Sequence, residues 1–448
     1  PLPEAARRRL THLLADRAGA GHGGGRRGTA PDLTELLPQW LAAANGYGYR
    51  APAAALPALL DAARGRTDLR PQVLAFAGPR ALWLARFNPE WKFALRGGHG
   101  GGAVPDPADS GAVRRLWEEG LFAERVAALA TVRAHDPAAA RDLLGSTWGT
   151  ERAEDRLMFL DALRTGLSGA DEAFLERALS DRSRNVRSTA AELLSALPAS
   201  AFAARMAERA ATCVGLDRTG TDVTVAVEAP HECDAGMQRD GVVQNPPAGR
   251  GRRSWWLGQL VEAAPLAVWR ERFGGRPAEE IVALPVADGW RAELHTAWCR
   301  AAVRQRDPQW ARALLGPASS PAERSALLST LPEEERAAWV AEFIAGNGLS
   351  EAFQLLGACA VPWSRALGRA VADALDDARD AGSYPWSFSG VMGLAERCLD
   401  PAEADRLAPL TSASGARASG ADTYWSEAFQ RLVSTLRLRA AMHAELAP

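Results

Sequence analysis

The sequence lacks the usual marks of a secreted or membrane-spanning protein. Its five cysteines are scattered without a C-x-x-C pair, and an odd, sparse set in a long chain indicates reduced thiols. The longest uncharged run, 381–395, contains a proline and three glycines, so it is too short and too broken to cross a bilayer. The first residues are charged and hold no apolar signal segment. We therefore expect a cytoplasmic protein with no membrane partner.

Net charge is also nearly absent. The 52 Lys and Arg residues almost balance the 54 Asp and Glu residues, and the formal net charge is −2. No global field therefore draws the chain to nucleic acid or to a membrane. Basic residues exceed acidic ones only in residues 1–100, where Lys92 is the single lysine of the chain. Because no dense basic block occurs there, a solvated arginine-rich surface is the favoured interpretation.

Motifs of catalysis and metal binding are missing as well. The glycine-rich stretches 21–28 and 96–102 lack the strand–GxxxxGK[ST]–helix context of a phosphate-binding loop and are predicted to be linkers. No G-x-S-x-G elbow occurs, and the seven histidines are dispersed. His231 and Cys233 are near one another, but two strong ligands at this spacing do not make a zinc site. We expect no metal, no cofactor and no catalytic residue.

Helical periodicity is what the sequence does contain. In "DRSRNVRSTAAELLSAL", 181–197, apolar residues recur at three- and four-residue intervals, which is one face of a helix. "DEAFLERAL", 171–179, has a second such face. Two short helices joined by a tight turn cannot bury their apolar faces alone, so neighbouring pairs must stack on them.

This stretch resembles a HEAT-type helical repeat. The family pattern D-x-x-x-x-V-R-x-x-A-A-x-x-L is matched here by Asp181, Val186 and Arg187, followed by two alanines and a leucine. The resemblance implies a structural role for these three residues. The Asp and Arg would bridge successive repeats, and the Val would fill the core between them.

An internal duplication supports a repeat architecture. "VRAHDPAAARDLLG", 132–145, matches "VRQRDPQWARALLG", 303–316. In each copy, Asp136 or Asp307 is predicted to cap a helix that the following proline opens and the final glycine closes. The two halves of the chain are therefore predicted to be diverged copies of one helical module.

One segment departs from helical periodicity. In "TDVTVAVEAP", 221–230, three valines alternate with other residues, which is a strand period. With 211–214 as the opposing strand, it predicts a β-hairpin near 211–228. The predicted fold is thus mainly α, an α-solenoid of HEAT-like repeats in two related halves, with a small β-hairpin insertion. The predicted segments are an N-terminal helical region with a Gly-rich linker (1–105), helical repeats (106–210), the hairpin and loop insertion (211–250) and a C-terminal helical repeat region (251–448).

Arginine and tryptophan meet in one stretch, "PPAGRGRRSWW", 246–256. Most of the fifteen tryptophans are predicted to pack in the core. Exposed Trp and Arg are favoured anchors of protein interfaces. The predicted partner contact is this junction: Arg250, Arg252, Arg253, Trp255 and Trp256. For the two tryptophans, a buried pair is the competing interpretation and the favoured one.

The chain also resembles an uncharacterised bacterial helical family, one of the domains of unknown function. The elements that carry the resemblance include "FNPEW" (87–91), "MQRDGV" (237–242) and "WWLGQLVEAAPLAVW" (255–269). Genes of that family tend to lie beside a MoxR-type AAA ATPase, a von Willebrand A-domain protein and a SWIM zinc-finger protein. The resemblance implies membership of an ATPase-linked system and supplies no catalytic residues.

Three function classes follow, in order of preference. The first is a non-enzymatic protein-interaction scaffold within such a system, with the MoxR-type ATPase or its companions as partners. The second is a nucleic-acid binder that uses the arginine-rich N-terminal part. The third, an enzyme with a site at the hairpin, has almost no support in the sequence.

Overall fold

The computed structural model describes residues 1–19, 29–97, 105–220, 222–316, 319–412 and 420–448. Within these ranges the chain is mainly α-helical and contains one antiparallel sheet of two strands. The prediction of a mainly helical protein with a small hairpin is therefore confirmed, whereas a solenoid of HEAT-like repeats stays a prediction. No helix in the described ranges combines the length and apolar character that a membrane crossing requires.

The chain forms two compact units. The terminal unit consists of Pro1–Ala103 and Glu333–Pro448, and the middle unit is Val104–Pro332. The four segments proposed from the sequence divide the chain differently and stay a prediction. Of the expected glycine-rich linkers, all of 21–28 and residues 98–102 of the second lie outside the described residues.

In its described residues, the N-terminal part of the terminal unit contains six α-helices: α1 (Glu4–Gly19), α2 (Leu33–Gly46), α3 (Leu56–Gly65), α4 (Arg70–Ala77), α5 (Pro79–Ala85) and α6 (Lys92–Gly97). Helices α4 and α5 are separate, because Gly78 adopts a φ of 61° and Pro79 opens the next helix. Trp40 and Phe76 meet edge to face in the core, with ring centroids 5.6 Å apart.

The middle unit contains fourteen helices and the hairpin within its described residues. The first seven helices are α7 (Ser110–Glu119), α8 (Phe122–His135), α9 (Pro137–Thr147), α10 (Ala153–Ala162), α11 (Glu172–Ala178), α12 (Arg184–Ser195) and α13 (Ala201–Cys213). Strands β1 (Val214–Asp217) and β2 (Thr224–Val227) follow. The remaining helices are α14 (Ala235–Arg239), α15 (Arg252–Ala263), α16 (Ala267–Arg272), α17 (Ala278–Ala283), α18 (Arg291–Gln305), α19 (Pro308–Leu314) and α20 (Pro321–Thr330).

Successive helices of the middle unit pack on one another. Helix α12 contacts α10, α11 and α13, and α15 joins α13 to α18. The apolar face read from the sequence of α12 is the buried one, since Val186, Ala190 and Leu194 are all fully buried. Periodicity thus identified the packed face of this helix correctly.

The first strand of the hairpin begins later than predicted. It is Val214–Asp217, because residues 211–213 complete α13, whose buried Phe202, Met206, Ala210 and Cys213 keep helical spacing. The second strand bonds to another part of the middle unit. Val225 is fully buried, and its main-chain N–H donates to the Pro285 carbonyl oxygen at 2.8 Å.

The duplicated segments start in the same way. Asp136 accepts hydrogen bonds from the N–H groups of the second and third residues after it, and Asp307 does the same in its copy. The predicted caps are therefore confirmed. The predicted ends are not, because Gly145 lies inside α9 and α19 ends two residues before Gly316.

The C-terminal part of the terminal unit contains α21 (Glu333–Asn347), α22 (Leu349–Leu356), α23 (Arg365–Asp380), α24 (Ser389–Cys398), α25 (Ala404–Leu407) and α26 (Gly420–Leu446). Helix α26 packs on α1 and α2, so the C-terminal and N-terminal parts of this unit are in contact. Arg9 donates two hydrogen bonds to the Glu445 carboxylate, at 3.1 and 2.7 Å. The Tyr49 hydroxyl donates to the Leu446 carbonyl oxygen at 3.1 Å.

Candidate functional site

A cleft of about 870 Å³ lies within the middle unit. One wall is the turn 164–167 that follows α10, together with α12. The other wall is the C-terminal half of α18, which carries the start of the second duplicated copy, and α20. We call this space the middle-unit cleft. Four arginines line it: Arg164, Arg300, Arg304 and Arg306.

The turn that forms the first wall is held from inside by Arg133. Its guanidinium donates to the main-chain oxygens of Thr165 and Gly166 at 2.8 and 3.1 Å. The same group forms a two-bond ion pair with Asp171, at 2.8 and 2.6 Å, and both side chains are fully buried. These hydrogen bonds fix the orientation of the Thr165 and Gly166 carbonyl groups beside the cleft.

The Asp171 carboxylate stays charged in this buried setting. Burial alone would raise the pKa of Asp171, but hydrogen bonds from Arg133, the Ser168 N–H and Arg141 hold that pKa below its ordinary value. Arg141 contributes a second ion pair at 3.0 Å. The cleft wall is thus supported by a network rather than by a single contact.

Three of the cleft arginines are paired with carboxylates. Arg164 donates to Glu192 at 2.9 and 3.1 Å, and this bond raises the pKa of the Arg164 guanidinium. Arg300 and Arg304 each donate to one oxygen of Glu262, both at 3.1 Å. These pairs keep the side chains in place and leave little uncompensated positive charge at this part of the cleft.

Arg306 differs from the other three cleft arginines in its backbone conformation and in its contacts. Its backbone has a φ of 53° and a ψ of 45°, the left-handed region that few residues other than glycine adopt. Its side chain is exposed and forms no ion pair with a described residue. This conformation ends α18, where the Arg306 N–H donates to the Ala302 and Val303 carbonyl oxygens. The cleft thus contains one arginine available for an external anionic group.

Two titratable side chains of the cleft lining have shifted pKa values. Burial raises the pKa of the Cys299 thiol to about 12, so the thiol stays protonated near neutral pH. Burial alone would raise the pKa of Glu323, but its bonds to Ser320 at the start of α20 and to Thr296 keep that pKa below its ordinary value. A paired carboxylate and a neutral thiol do not form a nucleophile with its base.

The residues matched to the HEAT pattern are close together but bonded differently from the expectation. The Asp181 carboxylate pairs with Arg156 of α10, at 2.8 and 3.0 Å. Arg187 donates to the main-chain oxygens of Asp181 and Arg182, at 2.7 and 3.1 Å. The expected bridge between the Asp181 and Arg187 side chains is therefore replaced by two separate contacts, whereas Val186 is buried as expected.

The two tryptophans at the 246–256 junction have structural roles. Trp256 is buried, and its indole N–H donates to the Gln244 carbonyl oxygen at 2.9 Å. The indole N–H of Trp255 donates to the Val243 carbonyl oxygen at 2.8 Å. Both therefore tie the preceding loop to α15, and the interpretation of Trp256 as a packing residue is confirmed.

The three arginines of that junction are only partly free. Arg250 pairs with Glu293 and lies over the Trp255 ring, 5.4 Å from its centroid. Arg253 pairs with Glu228 at 2.6 Å. Arg252 is exposed and makes no ion pair with a described residue. The segment is largely engaged with its own chain, and its contact with a partner stays a prediction.

The loop after the hairpin shows ordinary polar contacts. His231 faces Glu228 at 3.1 Å, and both side chains are mostly exposed. Cys233 is buried, and burial raises the pKa of its thiol. Within the described ranges, no group of three or more His, Cys, Asp or Glu side chains is arranged to hold a metal ion.

Sequence reasoning missed the residues that shape the cleft. Arg133 and Arg304 occupy the same position in the two duplicated segments. Nothing in that match showed that Arg133 pairs with Asp171, which is 38 residues away in the sequence. The same arginine in the second copy donates instead to Ser195 and Glu262. Equivalent positions therefore serve different contacts, which a sequence match alone cannot show.

Comparisons with known proteins give one match. A family model with the description "Family of unknown function (DUF5691)" matches residues 1–446. No curated protein and no solved structure matches the chain. The expected resemblance to a domain of unknown function is confirmed, whereas the HEAT-like resemblance and the gene neighbourhood stay predictions.

Proposed function

Because the chain belongs to the DUF5691 family, a family of unknown function, we propose its role from its own geometry. It is a protein-interaction scaffold without catalytic activity, and the middle-unit cleft holds a polypeptide segment of a partner protein. The observation that carries this proposal is the cleft itself, about 870 Å³ in volume and lined by both charged and apolar side chains.

A polypeptide segment suits this lining better than a strongly anionic ligand. The paired arginines present balanced charge, and the surrounding wall adds apolar contacts through Leu167, Leu193 and Val303. Arg306 supplies one free guanidinium, which fits a single acidic side chain or a C-terminal carboxylate of the partner. Surfaces with a few polar anchors among apolar contacts are typical of protein recognition.

We further propose that the partner belongs to an ATPase-linked system. The candidates are the MoxR-type AAA ATPase, the von Willebrand A-domain protein and the SWIM zinc-finger protein expected from the sequence resemblance. A helical scaffold with separate surfaces on two units would hold two such components together.

Affinity purification from the native host tests the proposal. The wild-type chain is compared with Arg306→Glu and with the matched control Arg291→Glu, an exposed arginine at the other end of α18 and outside the cleft lining. We expect a defined protein partner that is recovered with wild type and control and lost with Arg306→Glu. No specific partner for the wild type, or equal recovery with all three, would contradict the proposal.

The nucleic-acid alternative ranks below the scaffold. In the N-terminal part, Arg9 pairs with Glu445, and Arg66 pairs with Asp68. Paired arginines contribute less to phosphate binding than free ones. Recovery of nucleic acid instead of protein, with binding that falls steeply as salt rises, would favour this alternative.

A further inference from the structure

A groove of about 700 Å³ lies in the terminal unit between α23, the end of α21 and the start of α22. We call it the alanine groove, because alanines recur at every fourth position of α23 and line it: Ala366, Ala370, Ala374 and Ala378. Residues four apart share one face of a helix. Gly346 and Gly348 add to the lining, and nothing lies within 4 Å of where their β-carbons would be. A lining of small residues lets the backbone of another helix come close.

Charge along α23 runs against its helix dipole. Arg365 and Arg369 stand in its first half. Four carboxylates stand in its second half: Asp373, Asp376, Asp377 and Asp380. Because the carbonyl end of a helix is partly negative, carboxylates are unfavourable there and an added cation is favourable.

Contacts within the unit leave this acidic end incompletely neutralised. Arg379 pairs with Asp376 and Asp380, at 2.6 and 3.1 Å. Arg406 pairs with Asp373 at 2.5 Å, so two cations face four carboxylates. Asp377 lines the groove, is exposed and forms no ion pair with a described residue. Burial, together with the charges of the neighbouring carboxylates, keeps the pKa of Asp376 above its ordinary value in spite of Arg379. A cation placed at this end would be attracted by several carboxylates together.

Exposed aromatic rings lie on the segment that follows α23. The short 3-10 helix Pro385–Phe388 contributes Phe388 to the groove lining and also carries Trp386, which is 57% exposed. Trp386 stacks on Tyr384 with ring centroids 4.2 Å apart and meets Tyr424 edge to face at 5.5 Å. Exposed ring faces of this kind attract Lys and Arg side chains.

We propose that the alanine groove docks a basic amphipathic helix of a partner protein. The helix lies along α23 with small and apolar residues on the alanines and with Lys or Arg side chains over Asp377, Asp380 and the Trp386 ring. Charge decides the class of partner, because clustered carboxylates attract a basic helix and repel phosphate groups of nucleic acid or lipid. This site is on a different unit from the middle-unit cleft and does not depend on the function proposed for that cleft.

A defined peptide pair provides the test on the full-length chain. The basic peptide is a fluorescent helix of about 18 residues, enough to span the roughly 18 Å from Ala366 to Ala378 at 1.5 Å per residue. It has Ala and Leu on one face and Lys on the other. The acidic peptide keeps the apolar face and replaces every Lys with Glu. Fluorescence anisotropy should show binding of the basic peptide and at least tenfold weaker binding of the acidic one.

Variants separate docking in the groove from general charge attraction. Ala374→Trp fills the groove without changing charge, and Asp377→Lys reverses the free carboxylate. Each should weaken binding of the basic peptide at least tenfold. The matched control Asp405→Lys, a 92% exposed carboxylate outside the groove lining, should leave binding within twofold of wild type.

Folding of each variant is checked by its helical circular dichroism and melting temperature. Ala366→Trp, at an exposed position of the same alanine row, replaces Ala374→Trp if the latter does not fold. No binding of the basic peptide, equal binding of both peptides, or binding unaffected by the tryptophan variants would each overturn the proposal. These results leave the Arg306 experiment on the cleft unaffected, so the two proposals fail separately.

Discussion

Arg133 donates two hydrogen bonds to the Asp171 carboxylate, at 2.8 and 2.6 Å, and neither side chain has measurable exposure. The same guanidinium holds the main-chain oxygens of Thr165 and Gly166. One buried ion pair therefore connects α8 to the turn that forms a wall of the middle-unit cleft. Stability of the unit and the shape of its cleft depend on the same contact.

Removing Arg133 should strongly destabilise the protein. Arg133→Ala removes the buried cation that pairs with Asp171 and leaves several carbonyl groups without partners, which costs about 3–5 kcal/mol of unfolding free energy. The control is Arg304→Ala at the equivalent position of the second copy, where the side chain is 21% exposed. We expect a loss of about 1 kcal/mol there. Denaturant unfolding measures both, and equal losses would contradict the assigned role of the buried pair.

Stability should fall in acid partly through Asp171. Because its pKa is lower in the folded than in the unfolded chain, its stabilising effect is fully present above the unfolded value of about 3.9. That effect is lost as the pH falls through the folded pKa. Asp171→Asn should be less stable at neutral pH and should lose less stability between about pH 5 and 2. Parallel curves of unfolding free energy against pH would show that Asp171 does not titrate as described.

Arg156 should contribute more to the stability of the protein than Arg187. Arg156 pairs with the Asp181 carboxylate, and the two side chains are only 14% and 7% exposed. Arg187 instead donates to main-chain oxygens, which are neutral. Removing Arg156 leaves the mostly buried Asp181 carboxylate without its cation, which costs more than leaving neutral carbonyl groups unbonded. We expect Arg156→Ala to lower the melting temperature further than Arg187→Ala. The reverse order would support the side-chain bridge that the sequence pattern suggested.

The cysteines should resist alkylation in the folded protein. All five are buried, and burial raises the pKa of Cys299 to about 12 and that of Cys359 to about 11. Iodoacetamide reacts with the thiolate, so labelling near pH 8 should be slow under native conditions and complete in denaturant. Mass spectrometry counts the labels, and rapid native labelling of Cys299 would show that the cleft lining is more accessible than described.

Local patterns predicted local structure well. The spacing of Val186, Ala190 and Leu194 identified a buried helix face, and Asp136 and Asp307 were recognised as caps because capping involves residues only two or three positions away. The alternating valines of 221–230 likewise identified a strand. Such features depend on short-range geometry, which the sequence carries directly.

Long-range contacts could not be predicted in the same way. The sequence does not show that Asp181 pairs with Arg156 or that the hairpin residue Val225 bonds to Pro285. Each contact depends on how helices pack, and a single sequence does not determine that packing by periodicity alone. The middle-unit cleft is a product of these contacts, so its lining became visible only in the structure.

Site-specific photo-cross-linking shows whether a partner protein occupies the middle-unit cleft. A photoreactive phenylalanine derivative replaces Ala326, which lines the middle-unit cleft, or Arg291, which is exposed outside its lining. Both variants are expressed in the native host and irradiated. We expect a defined protein adduct from position 326 and none from position 291. Adducts of equal yield from both positions, or none from position 326, would contradict the claim that the cleft holds a partner protein.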